Sequence, residues 1–132
     1  MGSGVSGSFY ECSEMKSASE FEEVLIHREP VDMRRGINGL CELVGLENMG
    51  DLMKPHLFVF CGKRRHSIKV LYFDKSGFAM WQKKLEKDRF HWPRKFLEDV
   101  VSLTSEQFEW LLDGYDVWKM KPFKELNFEK LI

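Results

Sequence analysis

Short apolar runs separated by tight polar turns are the feature that most constrains the fold of this chain. They lie between Leu57 and Pro93, where four such runs alternate with segments rich in Gly, Ser, Asp and Lys. The runs are Leu57–Cys61, Ile68–Phe73, Phe78–Leu85 and Arg89–Trp92. Runs of this length, separated by turn residues, are typical of strands joined by hairpins. The sequence therefore predicts an antiparallel meander in this region.

Two helices are predicted outside the meander. Apolar residues recur at helical spacing from Met33 to Val44, and Asp32 can cap the first turn of such a helix. A second helix is predicted after Thr104, because Thr104 and Gln107 have the spacing of a capping box. Each helix has one apolar face, which must pack against another element.

A further strand is predicted at Glu23–His27, an apolar run that ends before Pro30, which cannot donate to a strand ladder. We therefore expect an α+β domain, in which an antiparallel meander of about five strands carries two or more packed helices. The domain is predicted to span residues 21–116. A flexible leader is predicted at residues 1–20, and a C-terminal extension at residues 117–132.

Composition excludes several classes of protein. A hydrophobic fraction of 43% supports a core, but no apolar run is long enough to cross a bilayer. The N-terminus lacks the basic and apolar segments of a secretory signal. Three cysteines at unrelated spacings argue against a disulfide framework and a zinc ribbon. We therefore expect a cytoplasmic protein with no membrane partner, in which Cys41 and Cys61 are buried as small apolar side chains.

Positive charge is concentrated in the middle of the chain. Eleven basic and three acidic residues lie between Cys61 and Lys95, a net charge of +8, whereas the whole chain carries a charge of −1. A basic region interleaved with aromatic residues is typical of a surface that binds a polyanion, most simply a nucleic acid.

Eleven cations are predicted to contact the phosphate backbone of DNA. The clearest group is Lys63–Arg65, on a hairpin loop from which long side chains can follow a phosphate backbone. Arg34 and Arg35 lie near a predicted helix N-terminus, whose amides also attract phosphate. The full set is Arg34, Arg35, Lys63, Arg64, Arg65, Lys69, Lys83, Lys84, Lys87, Arg89 and Arg94. The alternative is that these residues only solvate exposed turns and helix faces.

The aromatic residues of the meander have two interpretations. Tyr72, Trp81, Phe90 and Trp92 could stack on unpaired bases. Aromatic residues in a meander more often fill the core or pair across strands, and we favour that role here.

Four carboxylates are the candidates for a nuclease that holds Mg²⁺, namely Asp32, Asp74, Asp88 and Asp99. Asp32 is better suited to a helix cap and Asp74 to a turn. The four histidines show no metal-ligand spacing, and no glycine-rich phosphate loop is present. The sequence therefore predicts no catalytic residue, no metal site and no cofactor.

Several motifs follow one another in an order that is far more specific than any one of them. They are Pro30–Gly36, Leu57–Arg65, Lys69–Tyr72, Gly77–Trp81, Lys84–Lys87, Arg89–Pro93, Leu103–Gln107 and Leu111–Gly114. In this order they resemble the IS66-type accessory proteins of insertion sequences, a family often called TnpB or Orf2-like. The resemblance covers about residues 23 to 116 and leaves both ends of the chain uncovered.

The resemblance implies a role in DNA transposition, beside a separate transposase that carries the strand-transfer chemistry. It implies three partners: DNA, as element ends or non-specific duplex, the transposase, and the other accessory protein of the same element. It implies no catalytic residue, and no carboxylate pattern supports the RNA-guided nucleases that share the name TnpB. We therefore expect a non-enzymatic protein that binds DNA through a basic surface. The alternative is a scaffold that binds the transposase without touching DNA.

Overall fold

The computed structural model describes residues 20–93 and 98–119. Within this part of the chain the elements are β1 (Glu23–His27), α1 (Ile37–Leu46), β2 (His56–Cys61), β3 (Ser67–Asp74), β4 (Gly77–Lys84), β5 (Val100–Leu103) and α2 (Ser105–Leu112). Residues 117–119 are also helical. The predicted α+β class with about five strands is confirmed. Residues 1–19 of the predicted leader and residues 120–132 of the predicted extension lie outside the described residues.

The five strands form one sheet in the order β4-β3-β2-β1-β5. β2, β3 and β4 form the predicted antiparallel meander, and β1 pairs antiparallel with β5. β1 and β2 are parallel, with Val24 opposite Leu57, because the connection through α1 returns the chain to the same end of the sheet. The sheet is therefore mixed, and the expectation that all its strands run antiparallel was wrong.

The predicted strand at Arg89–Trp92 was also wrong. In this segment the side chains of Phe90 and Trp92 are buried, and the N–H of Phe90 donates to the carbonyl oxygen of Arg65 at 2.8 Å. The indole N–H of Trp92 donates to the carbonyl oxygen of His27. These contacts hold the segment against the sheet, and the segment does not pair as a further strand. The fifth strand is β5, which was not among the predicted strands.

The start of α1 differs from the prediction as well. Its N-cap is Gly36, which is extended and provides no side-chain acceptor. Asp32 lies a turn earlier, where its carboxylate accepts the N–H of Arg34 at 2.9 Å. That acceptor is used in a local turn, so Asp32 does not cap the helix. At α2, in contrast, Thr104 and Gln107 form the predicted capping box.

Two apolar layers cover the two faces of the sheet. On one face, the α1 residues Leu40 and Val44 pack with Phe58 and Phe60 of β2. On the other face, α2 packs against a layer that contains Val24, Ile26, Leu57, Val59, Ile68, Val70, Tyr72, Phe90, Trp92, Phe108, Leu111 and Val117. Trp81 is half-buried against that second layer. The four aromatic residues considered for base stacking, Tyr72, Trp81, Phe90 and Trp92, therefore contribute to the core. No helix among the described residues has the length and hydropathy needed to cross a membrane.

Candidate nucleic-acid interface

A groove of about 380 Å³ lies between two loops at one end of the sheet. One wall is the segment Val31–Met33, which precedes α1, and the other is the hairpin loop Gly62–Ser67 between β2 and β3. The last residue of β4, Lys84, completes the lining. The cations in the lining are Lys63, Arg64, Arg65 and Lys84. We call this feature the basic groove.

The two walls of the basic groove lie close together. The N–H of Val31 donates to the carbonyl oxygen of Cys61 at 3.0 Å, so the first wall continues along the end of β2. Gly62 lets the walls approach closely, because a Cβ at this position would lie 2.6 Å from Cγ of Met33. The two walls are about 30 residues apart in the sequence, and no local pattern predicts that they meet.

Lys69 lies beneath the first wall and not on the surface. Its side chain is buried, with 6% of the residue exposed. Its ammonium group donates to the carbonyl oxygens of Met33 at 2.6 Å and Arg35 at 2.7 Å. Burial lowers its pKa, against the opposing influence of the Asp32 carboxylate. Lys69 therefore supports the groove wall, and we exclude it from the surface that can contact phosphate.

The hairpin loop has a tight and strained backbone. The N–H of Arg65 donates to the carbonyl oxygen of Gly62 at 3.0 Å. Arg65 itself is in the left-handed region, with φ of 64°. A non-glycine residue in this region costs about 1–2 kcal/mol, so surrounding contacts must hold the loop in this shape.

The segment that follows β4 supplies those contacts. The N–H of Leu85 donates to the carbonyl oxygen of His66 at 2.8 Å, and Phe90 donates to Arg65 as described above. The ring nitrogen Nδ1 of His66 lies 3.0 Å from the carbonyl oxygen of Asp88. Residues 85–90 therefore form a curved segment beside the loop, which we call the arch. The exposed side chains of Lys87 and Arg89 are carried on this arch, next to the basic groove.

Six cations of this region make no ion pair with any carboxylate among the residues that the structure describes. They are Lys63, Arg64, Arg65, Lys84, Lys87 and Arg89. All six are exposed except Arg65, which is half-buried. Folding thus brings together cations from a loop, a strand end and an arch, and leaves their charge available to an external anion.

The arginines that precede α1 are occupied differently. Arg34 makes a bidentate contact with Asp32, with its Nη2 at 2.7 Å from Oδ2. Hydrogen bonds from Arg34 hold the pKa of Asp32 well below its usual range, and the same pairing raises the pKa of Arg34. The guanidinium of Arg35 donates to the carbonyl oxygen of Gly39 at 3.3 Å. The one carboxylate in the groove lining is therefore neutralised by its own neighbour.

Two further cations of the predicted set are not part of the groove. Lys83 donates to the carbonyl oxygen of Leu112 at 3.2 Å, at the C-terminal end of α2. It therefore lies on the opposite face of the sheet from Lys84, and it satisfies a helix-end carbonyl. Arg94 lies outside the described residues.

The four carboxylates considered for a metal site do not converge. Asp32 is paired with Arg34, and Asp99 accepts from Arg28 at 3.0 Å on a different part of the surface. Within residues 20–93 and 98–119, no group of three or more His, Cys, Asp or Glu side chains could hold a metal ion.

Comparison with known proteins identifies relatives of the chain. A model of the family described as "IS66 Orf2 like protein" matches residues 22–122. "Uncharacterized protein y4jC" of Sinorhizobium fredii (strain NBRC 101917 / NGR234) is 36% identical over 104 residues, which cover 76% of this chain and 87% of the relative. "Uncharacterized protein y4hO" of the same strain is 31% identical over 88 residues, covering 67% and 75%. No solved structure matches the chain.

Proposed function

The chain belongs to the family of IS66 Orf2-like proteins, accessory proteins of insertion sequences, and from this premise we propose that it binds DNA through the basic groove. It performs no chemistry of its own and acts in the cytoplasm. Its other partners are the transposase and the second accessory protein of the same element. The observation that carries the proposal is the group of groove cations, Lys63, Arg64, Arg65 and Lys84, with no carboxylate partner among the described residues.

Phosphate contact follows from the chemistry of these side chains. A guanidinium group presents a planar fork of donors that matches a phosphate, and a lysine adds a compact positive charge. Lys87 and Arg89 extend the positive surface beyond the groove along the arch. No helix among the described groove elements is placed to enter a major groove. The interaction is therefore mainly with the backbone and only weakly dependent on sequence.

A salt titration with a short duplex tests the proposal. The observed affinity should fall with salt at a logarithmic slope of about −0.9 for each phosphate contacted. Four groove cations predict a slope of about −3.6. Fluorescence anisotropy of a labelled duplex measures both affinity and slope. Absence of binding at low salt would contradict the proposal.

A pair of charge-matched variants localises the contact. Lys63→Ala combined with Arg64→Ala removes two groove cations and should reduce the slope by about 2, with an affinity loss of roughly tenfold or more at low salt. Lys54→Ala combined with Lys75→Ala removes the same charge at the other end of the sheet, before β2 and in the β3–β4 turn. This control should leave affinity within about twofold. Equal losses in the two variants would show that only net charge matters.

A scaffold for the transposase is the second candidate function. It is favoured by large apolar side chains that face solvent, with Leu46 79% exposed and Met53 62% exposed. Such side chains are common singly on protein surfaces and are weaker support than the basic groove. A chain that captures the transposase but binds no duplex at low salt would support this role instead.

A further inference from the structure

β4 is a long strand at an open edge of the sheet. It runs for eight residues, Gly77–Lys84, and pairs only with β3 in the order of the sheet. Its first five residues, Gly77 to Trp81, include neither a charge nor a proline, and all five are half-buried. Soluble proteins commonly protect such edges with charges, prolines or a short strand. The opposite edge, β5, follows that rule, since it has four residues.

The backbone groups that face outward from β4 can be assigned by alternation. The N–H of Leu85 donates toward β3, to the carbonyl oxygen of His66. Hydrogen-bonded and non-hydrogen-bonded positions alternate along an antiparallel pair. Phe78, Met80 and Gln82 therefore direct their N–H and C=O groups away from β3. Among the described residues, no other strand pairs with these groups.

We propose that β4 pairs antiparallel with β4 of a second copy of this chain. A twofold axis through Met80 places Phe78 of one copy opposite Gln82 of the other, so the outward backbone groups of the two strands meet. The apolar part of each strand is thereby covered. This proposal concerns association of the protein with itself and does not depend on DNA binding.

The distribution of charge favours a second copy in the antiparallel direction. The lysines of β4, Lys83 and Lys84, lie at its C-terminal end only. Parallel pairing would stack each lysine on its counterpart at about 4.8 Å. Antiparallel pairing through Met80 separates the two Lys84 positions by eight residue steps, about 27 Å along the strands. The β4 lysines of one copy are thus kept apart from the β4 lysines of the other.

The pairing has a consequence that rests on the proposed function. Opposed residues of an antiparallel pair project from the same face, so both Lys84 side chains lie on one face of a ten-stranded sheet. Because Lys84 lines the basic groove, the two grooves are separated by about 27 Å along the strands, a distance comparable to the ~34 Å turn of a duplex. One dimer is thus able to contact successive turns of the same DNA.

The interface is small, which sets the expected affinity. An eight-residue strand is about 26 Å long, and pairing along it buries less than the roughly 1,200–2,000 Å² of a standard stable interface. We therefore expect a dissociation constant of the order of micromolar or weaker. Sedimentation velocity of the full chain, from about 1 µM to about 500 µM, should show monomer converting to dimer. A chain that stays monomeric throughout would overturn the proposal.

Proline substitutions at the two edges separate this interface from any other. Gln82→Pro removes an outward N–H at an exposed side chain and leaves the hydrogen bonds to β3 in place. Ser102→Pro is the matched control, because Ser102 has an outward N–H at the opposite edge, in β5. The first variant should stay monomeric with an unchanged circular dichroism spectrum, and the second should dimerise like the original chain. Undiminished dimerisation of Gln82→Pro would overturn the proposal.

Hydrogen exchange of the unaltered chain gives a test that does not depend on the variants folding. The amides of Phe78, Met80 and Gln82 should become more protected as the concentration rises, whereas the amide of Ser102 should not change. If the three amides are protected equally at all concentrations, a segment of the same chain covers the edge. That result would refute self-pairing.

Discussion

The ammonium group of Lys69 donates a 2.6 Å hydrogen bond to the carbonyl oxygen of Met33, 36 residues earlier in the chain. A second bond, to the carbonyl oxygen of Arg35, completes a clamp that holds the segment before α1 against the sheet. Met33 in turn lies on the wall of the basic groove. The shape of the candidate DNA site therefore depends on a buried cation that cannot itself reach DNA.

Replacement of Lys69 by methionine should destabilise the fold. The variant Lys69→Met keeps the length of the side chain but leaves two main-chain carbonyls without their donor, which costs about 1–3 kcal/mol. Lys75→Met is the control, because Lys75 is exposed in the β3–β4 turn and should change stability by less than about 0.5 kcal/mol. Urea unfolding measures both. Equal stability of the two variants would show that the clamp contributes nothing.

The pH dependence of stability provides a separate test of the same clamp. Burial lowers the Lys69 pKa in the folded chain relative to its ordinary value of 10.5. Between these two pKa values the unfolded chain binds more protons, so the contribution of this group to stability rises with pH. The stability of the original chain relative to Lys69→Met should therefore increase as pH approaches 10.5. A difference that falls with pH would contradict the burial of this ammonium group.

The burial of Lys69 could not be predicted from the sequence, which places it among the surface cations. The alternation of side chains along β3 shows which face of the sheet Lys69 occupies, but it does not show which segment covers that face. The cover forms through contacts between stretches about 30 residues apart, such as Val31 with Cys61. The parallel pairing of β1 with β2 escaped prediction for the same reason. The capping box of Thr104 and Gln107 was predicted correctly because its two residues are three positions apart.

Gly62 should tolerate no side chain. In Gly62→Ala the new Cβ would lie 2.6 Å from Cγ of Met33, so the Met33 side chain or the wall that carries it must shift, at a cost of about 1–3 kcal/mol. Gly45→Ala is the control, because no atom lies within 4 Å of a Cβ at that helical position. Alanine there should raise the stability by about 0.5–1 kcal/mol. Thermal unfolding distinguishes the two, and a Gly62→Ala protein as stable as the original would contradict the close approach.

Cys61 should make the protein less stable at alkaline pH. Burial raises the pKa of its thiol to about 12, from an ordinary value of 9.0. Above pH 9 the unfolded chain loses this proton and the folded chain keeps it, so stability falls by up to about 1.4 kcal/mol per pH unit. Cys61→Ala should remove this decline, whereas Cys41→Ala, at a half-buried position, should retain most of it. Identical pH profiles for the original chain and Cys61→Ala would contradict the prediction.

A substitution at Arg65 distinguishes the stability of the fold from DNA binding, because the two should change in opposite directions. Its backbone has φ of 64°, so Arg65→Gly should relieve strain and raise the stability of the fold by up to about 1 kcal/mol. If the groove binds phosphate, the same change should weaken DNA binding and reduce the salt slope by about 1. Lys75→Gly is the matched control, because Lys75 also has a positive φ, of 55°, but lies beyond the other end of β3. It should gain similar stability without loss of affinity.

A more stable Arg65→Gly protein with unchanged affinity and slope would place the DNA contact elsewhere, because the loop would be intact and the guanidinium group absent.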